Sequence, residues 1–131
     1  MQMDAILSIK PFYANQILAG TKKVEFRKRG FKEKVRRVYI YSSVPVKQIV
    51  GYFTYSSIDE DTPANLWKKY KDIGGITEQD FFSYYTNNET GCAFLIKSVK
   101  SYKQGKSPNE FVEDFIPPQS YIYLHYEDNK N

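Results

Sequence analysis

The stretch Gly20-Thr21-Lys22-Lys23-Val24-Glu25-Phe26-Arg27 decides how the rest of the chain is read. A glycine that closes a run of helical spacing is a helix stop, because glycine enters the left-handed region without steric cost. The residues after it alternate, as a strand does. In a strand over 23–29, Lys23, Glu25 and Arg27 share one face, and Val24 and Phe26 take the other. One face is then apolar and the other is a row of alternating charge. Such a row is either a solvated ladder, worth a few tenths to about 1 kcal/mol per pair, or the floor of a polar cleft.

Upstream of it, Ala5-Ile6-Leu7-Ser8-Ile9 reads as a short strand. Pro11 sits where a first helical turn tolerates a missing N–H, and Phe12, Tyr13, Ile17 and Leu18 recur at helical spacing. Downstream, 30–34 is a turn and Val35 to Ser43 is a β-branched and aromatic strand, broken by Pro45. A long strand runs from Lys47 to Ile58, with Gly51 marking a bulge or a close backbone approach. Thr62-Pro63 and Thr77 open two helices of an inserted hairpin, separated by Gly74-Gly75. Phe94 to Tyr102 returns to strand, 108–115 is irregular or a short helix, Tyr121 to Leu124 is the last strand, and 128–131 is a polar tail. This order predicts an α+β fold. A strand as long as 47–58 must bend, which points to a small curved β-barrel carrying one N-terminal helix and the helical hairpin.

The 131 residues fit one domain spanning 1–131. Twelve Tyr and nine Phe supply much of the apolar area, suiting either sheet packing or a stacking surface. One cysteine allows no internal disulfide and no cysteine zinc site, and with a single histidine beside it neither metal nor cofactor is expected. Cys92, inside Gly91-Cys92-Ala93-Phe94-Leu95-Ile96, reads as a buried, inert thiol. The first residues lack a secretory pattern and no apolar run nears the about 20 residues of a membrane span, so the expectation is cytoplasmic, without a membrane partner.

Charge gives the composition a direction. From Lys22 to Arg37 there are nine basic and two acidic residues, a net of +7, while the chain carries +4, so the remainder sums to −3. Concentrated positive charge of this kind fits a polyanionic partner, against the plainer alternative of a solvated charged hairpin.

Four segments in order carry a resemblance. Leu7-Ser8-Ile9-Lys10-Pro11, then Gly20-x-Lys22-x-x-Glu25-x-Arg27, then Ser42-Ser43-Val44-Pro45-Val46-Lys47 with Ile49-Val50-Gly51, and finally Pro117-Pro118-Gln119-Ser120-Tyr121 resemble the ASCH domain family, over residues 5 to 124. The resemblance implies a PUA-like barrel with a cleft that engages RNA or a nucleotide-like ligand, in a regulatory role in RNA metabolism or translation. It implies Lys22 and Arg27 as phosphate or base contacts and Glu25 as a group that orients Arg27 or accepts a hydrogen bond from a base amino group. The candidate binding set is Lys10, Lys22, Glu25, Arg27, Lys28, Arg29, Ser42, Ser43, Lys47 and Gln119. Lys28 to Arg37 would grip phosphates without selectivity, and tyrosines such as Tyr39, Tyr41 or Tyr55 would stack on bases.

Binding is favoured over catalysis. The enzymatic alternative is a small hydrolase acting on RNA or a modified nucleoside, with Lys22 and Glu25 as the reacting pair. A related branch hydrolyses the amide of N4-acetylcytidine with a lysine, a threonine and a glutamate. Lys22 matches that lysine, but Glu25 stands in place of the threonine and no acidic residue occurs from Gly51 to Ile58. A third reading is a partner-binding domain whose cleft holds a small ligand.

Overall fold

The computed structural model of the protein describes residues 2–126. Its elements are β1 (Gln2–Ile9), α1 (Pro11–Ala19), β2 (Val24–Arg27), β3 (Val38–Ser42), β4 (Gln48–Asp61), α2 (Pro63–Tyr70), α3 (Glu78–Tyr84), β5 (Gly91–Lys106), a 3-10 turn at Pro108–Glu110 and β6 (Tyr121–Tyr126). The predicted order of elements holds; the predicted tail at 128–131 lies outside the described residues.

The strands form one six-stranded sheet in the order β2-β5-β4-β3-β1-β6. Only β1 and β3 run parallel, joined by a crossover that contains α1 and β2. The other neighbours are antiparallel. Bending is concentrated where the register slips: between Ile40 and Tyr41, and at three places along β4. At one of them a side chain on Gly51 would place its Cβ 2.1 Å from the Lys100 carbonyl oxygen, so only glycine lets β4 and β5 approach there. No ladder joins β2 to β6 among the described residues. The sheet is therefore strongly curved but open as hydrogen-bonded, and the expected closed barrel is not what its ladder forms.

Three apolar clusters cover it. On the inner face Leu7, Ile9, Val38, Ile40, Phe53 and Phe94 pack with Ala14 and Ile17 of α1. Phe12, expected in that helix's apolar stripe, is instead 69% exposed. On the outer face of β2 and β5, α2 and α3 seat Leu66 and Phe81 against Val24, Phe26 and Ala93. Thr62 and Thr77 cap these two helices by accepting from the N–H groups of Asn65 and Asp80, as their positions before each helix predict. On the outer face of β3 and β4, the chain around the 3-10 turn lays Phe111 on Tyr39 and Phe115 on Tyr41.

Candidate functional site

The helix stop places the first charge. Gly20 ends α1 at φ 85°, and the N–H groups of Thr21 and Lys22 both donate to the Gln16 carbonyl, 3.1 Å away. This turn aims Lys22 inward, 3% exposed, while Lys23 faces solvent. β2 begins only at Val24, so its alternation governs Glu25 and Arg27 but not Lys23. The buried charged row is Lys22, Glu25 and Arg27, not the expected Lys23, Glu25 and Arg27.

These three converge. Lys22 Nζ lies 3.8 Å from Glu25 Oε1, and Arg27 donates to Glu25 Oε2 at 3.2 Å. With Glu25 5% exposed, the solvated-ladder reading is excluded. Lys22 also donates to the Gly74 carbonyl, supplied by the α2–α3 connection, and its ammonium rests 5.2 and 5.3 Å from the ring centres of Tyr13 and Phe26. Burial lowers the Lys22 pKa from the ordinary 10.5, partly countered by Glu25.

Arg27 is differently employed. Its two terminal nitrogens reach the Ser8 carbonyl at 3.3 Å, Glu25, and the carbonyl and hydroxyl oxygens of Ser120 at 3.3 and 3.0 Å. The guanidinium thus bridges from β2 to β1 and to the residue before β6, across the gap that no ladder closes. A fork committed to four protein oxygens holds the wall together and has little capacity left for a phosphate.

The triad floors a cavity of about 1280 Å³. Six cations line it (Lys10, Lys22, Arg27, Lys28, Arg29 and Lys32) against two carboxylates, Glu25 and Asp80. Phe12, Tyr13 and Tyr84 supply aromatic surface, and Pro117 to Ser120 form a further wall, tied to β1 by the Ser8 hydroxyl donating to the Pro118 carbonyl at 2.7 Å. Of the candidate residues, Lys10, Lys22, Glu25, Arg27, Lys28, Arg29, Ser43 and Gln119 line this cavity, whereas Ser42 and Lys47 do not. Ser42 is buried with no partner for its hydroxyl among the described residues, and Lys47 lies exposed in the turn after β3.

A family model described as Domain of unknown function (DUF365) matches residues 5–115. The ASCH domain-containing ribonuclease of Zymomonas mobilis is 29% identical over 130 residues, covering 97% of this chain and 88% of that protein. The crystal structure of the ASCH protein of Zymomonas mobilis superposes with a TM-score of 0.86 at 29% identity, covering 93% of this chain and 87% of that one. A tyrosine-to-phenylalanine variant of it gives 0.84 at 28% identity, over 93% and 90%. The chain belongs to the ASCH family.

Within this ASCH domain the basic segment divides. Lys22, Arg27, Lys28, Arg29 and Lys32 reach the cavity; Lys23, Lys34, Arg36 and Arg37 do not. Arg36 is held bidentately by Asp4 at 3.0 and 2.9 Å, the Arg37 N–H donates to the same carboxylate, and the Arg37 guanidinium lies 4.5 Å from the Tyr52 ring centre. The expected phosphate grip over 28–37 therefore ends at Lys32 as far as the cavity is concerned. The stacking tyrosines are corrected too. Tyr39 and Tyr41 are buried under Phe111 and Phe115, and the Tyr55 hydroxyl accepts from the Val35 N–H within the core edge. Tyr41 lines the cavity but is only 4% exposed, and the exposed aromatic rings there are those of Phe12 and Tyr84. Cys92 is buried as expected, and burial raises its thiol pKa.

Sequence reasoning missed Asp80, Ser83 and Tyr84, which the helical hairpin brings to the cavity. It also missed Phe31, whose ring sits among those of Phe94, Tyr121, Tyr55 and Tyr123 with centroids 4.9–6.0 Å away. An aromatic residue amid the cations of 28–34 was the available signal that this loop is anchored.

Proposed function

We propose that this ASCH domain binds single-stranded RNA in the cavity floored by Lys22, Glu25 and Arg27. The observation that carries the reading is the lining itself: six cations against two carboxylates, with Phe12 exposed beside them. Rim cations neutralise phosphates, and an exposed ring offers a face on which an unpaired base stacks. Lys10, Lys28, Arg29 and Lys32 are the phosphate contacts in this reading, Phe12 the stacking platform, and Gln119 a base-edge contact. The triad shapes the floor, with Glu25 preventing a uniformly positive and indiscriminate site. The curl of the sheet, held across its open seam by Arg27, supports a PUA-like, barrel-derived ancestry, and a regulatory role in RNA metabolism is one use of such binding.

A second reading is that bound RNA is cut. It is favoured by the ribonuclease activity in the name of the Zymomonas mobilis relative and by the buried lysine beside a carboxylate, a pairing suited to acid–base work. Amide hydrolysis in the manner of the N4-acetylcytidine branch finds less support, because an ion-paired carboxylate occupies the nucleophile's place.

Fluorescence anisotropy with short single-stranded RNA tests the binding. Affinity is expected to fall steeply with added salt, and the Lys28→Glu, Arg29→Glu double reversal to lower it by about tenfold or more. Phe12→Ala is expected to weaken binding by about 1–3 kcal/mol while leaving the folded state intact, since its ring is 69% exposed. No affinity at low salt, or affinity indifferent to the double reversal, overturns the reading. Incubation of the same RNA with wild type and Lys22→Met decides between binding and cleavage.

A further inference from the structure

Behind the loop that carries the rim cations lies a second recess, of about 870 Å³. Lys28, Arg29, Gly30 and Lys32 line both spaces, so the loop is a wall between two basins with cations available to each. The recess has an apolar seat: Phe31, Ile58 and Cys92 line it, and the Gly30 backbone packs closely on Ile58 and Cys92, where a Cβ would lie 3.3 and 3.5 Å from their side chains. The rest of its lining is polar and partly acidic, with Asn87, Asn88, Thr90, Glu60 and Glu89.

We infer that this recess is a second base subsite, and that the ligand of the protein is an oligonucleotide spanning both basins with its linking phosphates on Lys28, Arg29 and Lys32. The inference rests on the RNA reading above and adds the length of the ligand. An apolar seat with amide, hydroxyl and carboxylate groups at its edge matches a flat heterocycle with donors around its rim. Phosphates are drawn to the three cations and away from Glu60 and Glu89, which repel them. The wall is preorganised. Phe31 locks into its aromatic box, and the N–H groups of Lys32 and Glu33 both donate to the Tyr123 hydroxyl, at 3.0 and 3.3 Å. A wall already ordered loses little conformational freedom when a strand crosses it.

The test measures affinity for single-stranded RNA from a dinucleotide to an octanucleotide on wild type, Thr90→Trp and Glu89→Lys. Affinity is expected to rise by about tenfold once the ligand is long enough to fill both basins. Thr90→Trp, which fills the recess, is expected to remove that gain and leave dinucleotide affinity unchanged; Glu89→Lys, which adds a cation at the rim, is expected to tighten only the longer ligands. Dinucleotide and octanucleotide bound with equal affinity, or both variants indistinguishable from wild type at every length, overturn the second subsite while the first cavity stands. Absence of binding at every length overturns the RNA reading itself.

Discussion

At Lys22 the burial of an ammonium is set against one carboxylate, one carbonyl and two ring faces, and burial wins, since its pKa lies below the ordinary 10.5. The consequence for stability has a definite sign. Between the lowered folded pKa and 10.5 the unfolded chain binds more protons at this position than the folded one, so the penalty of the buried cation is full below that window and fades as pH rises through it. Alkaline titration of the many tyrosines cancels in a comparison with Lys22→Met. The stability of wild type relative to this variant is expected to rise as pH approaches the ordinary 10.5 from below, read from denaturant midpoints; a constant difference would mean that Lys22 titrates normally. How far such a site is legible in a sequence varies by residue. Glu25 and Arg27 follow from strand alternation, and Lys22 was marked by the motif, but its inward turn depends on the Gln16 carbonyl and on Gly74, which lies 52 residues away. Tyr39 and Tyr41 misled for the same reason: the aromatic rings that bury them come from beyond residue 110.

Elements were most legible where their ends carry chemistry. Pro11, Gly20, Thr62 and Thr77 each mark a boundary that local backbone needs explain. Lengths were less legible where a partner strand sets them. β5 runs from Gly91 to Lys106, past the expected Phe94 to Tyr102, because β4 supplies partners from Ile49 to Asp61 even where the side chains of β5 are polar and exposed. β3 starts at Val38 and not Val35, because the regular pairing with β1 is interrupted there: the Arg37 N–H goes to the Asp4 carboxylate, while the Arg36 N–H and the Arg37 carbonyl still bond Met3 and Ala5. Two glycines separate local from tertiary constraint. Gly20 has a left-handed backbone but nothing within 4 Å of a Cβ, so Gly20→Ala is expected to cost about 1 kcal/mol, and Gly20→Asn less. At Gly51 the obstacle is the Lys100 carbonyl itself, and Gly51→Ala is expected to cost about 3 kcal/mol or more, because backbone of a paired strand must move. Equal losses in chemical denaturation would show that the bulge relaxes around the added carbon.

For the molecule as a whole, the open seam between β2 and β6 is the feature sequence could not supply, because strand order depends on pairings far apart in the chain. Arg27, with its side chain 12% exposed, is the group that spans it, touching Ser8 on β1 and Ser120 just before β6. Lysine keeps the charge but offers a single nitrogen where the guanidinium offers a planar fork, so it can satisfy Glu25 or the Ser120 side, not both. Arg27→Lys is expected to lose about 1–3 kcal/mol, and Arg27→Ala about 3–5 kcal/mol, since the latter leaves Glu25 buried with only Lys22 beside it. The loss should also be local. If Arg27 clasps the seam, hydrogen exchange in Arg27→Lys quickens most for the amides of β2 and β6 and least for those of β3 and β4 in the middle of the sheet. Uniform loss of protection would instead make Arg27 a contributor to global stability without a seam to hold, and the Pro117 to Ser120 wall of the cavity would then owe its position to the Ser8 hydrogen bond and the packing of Tyr121 on Phe31.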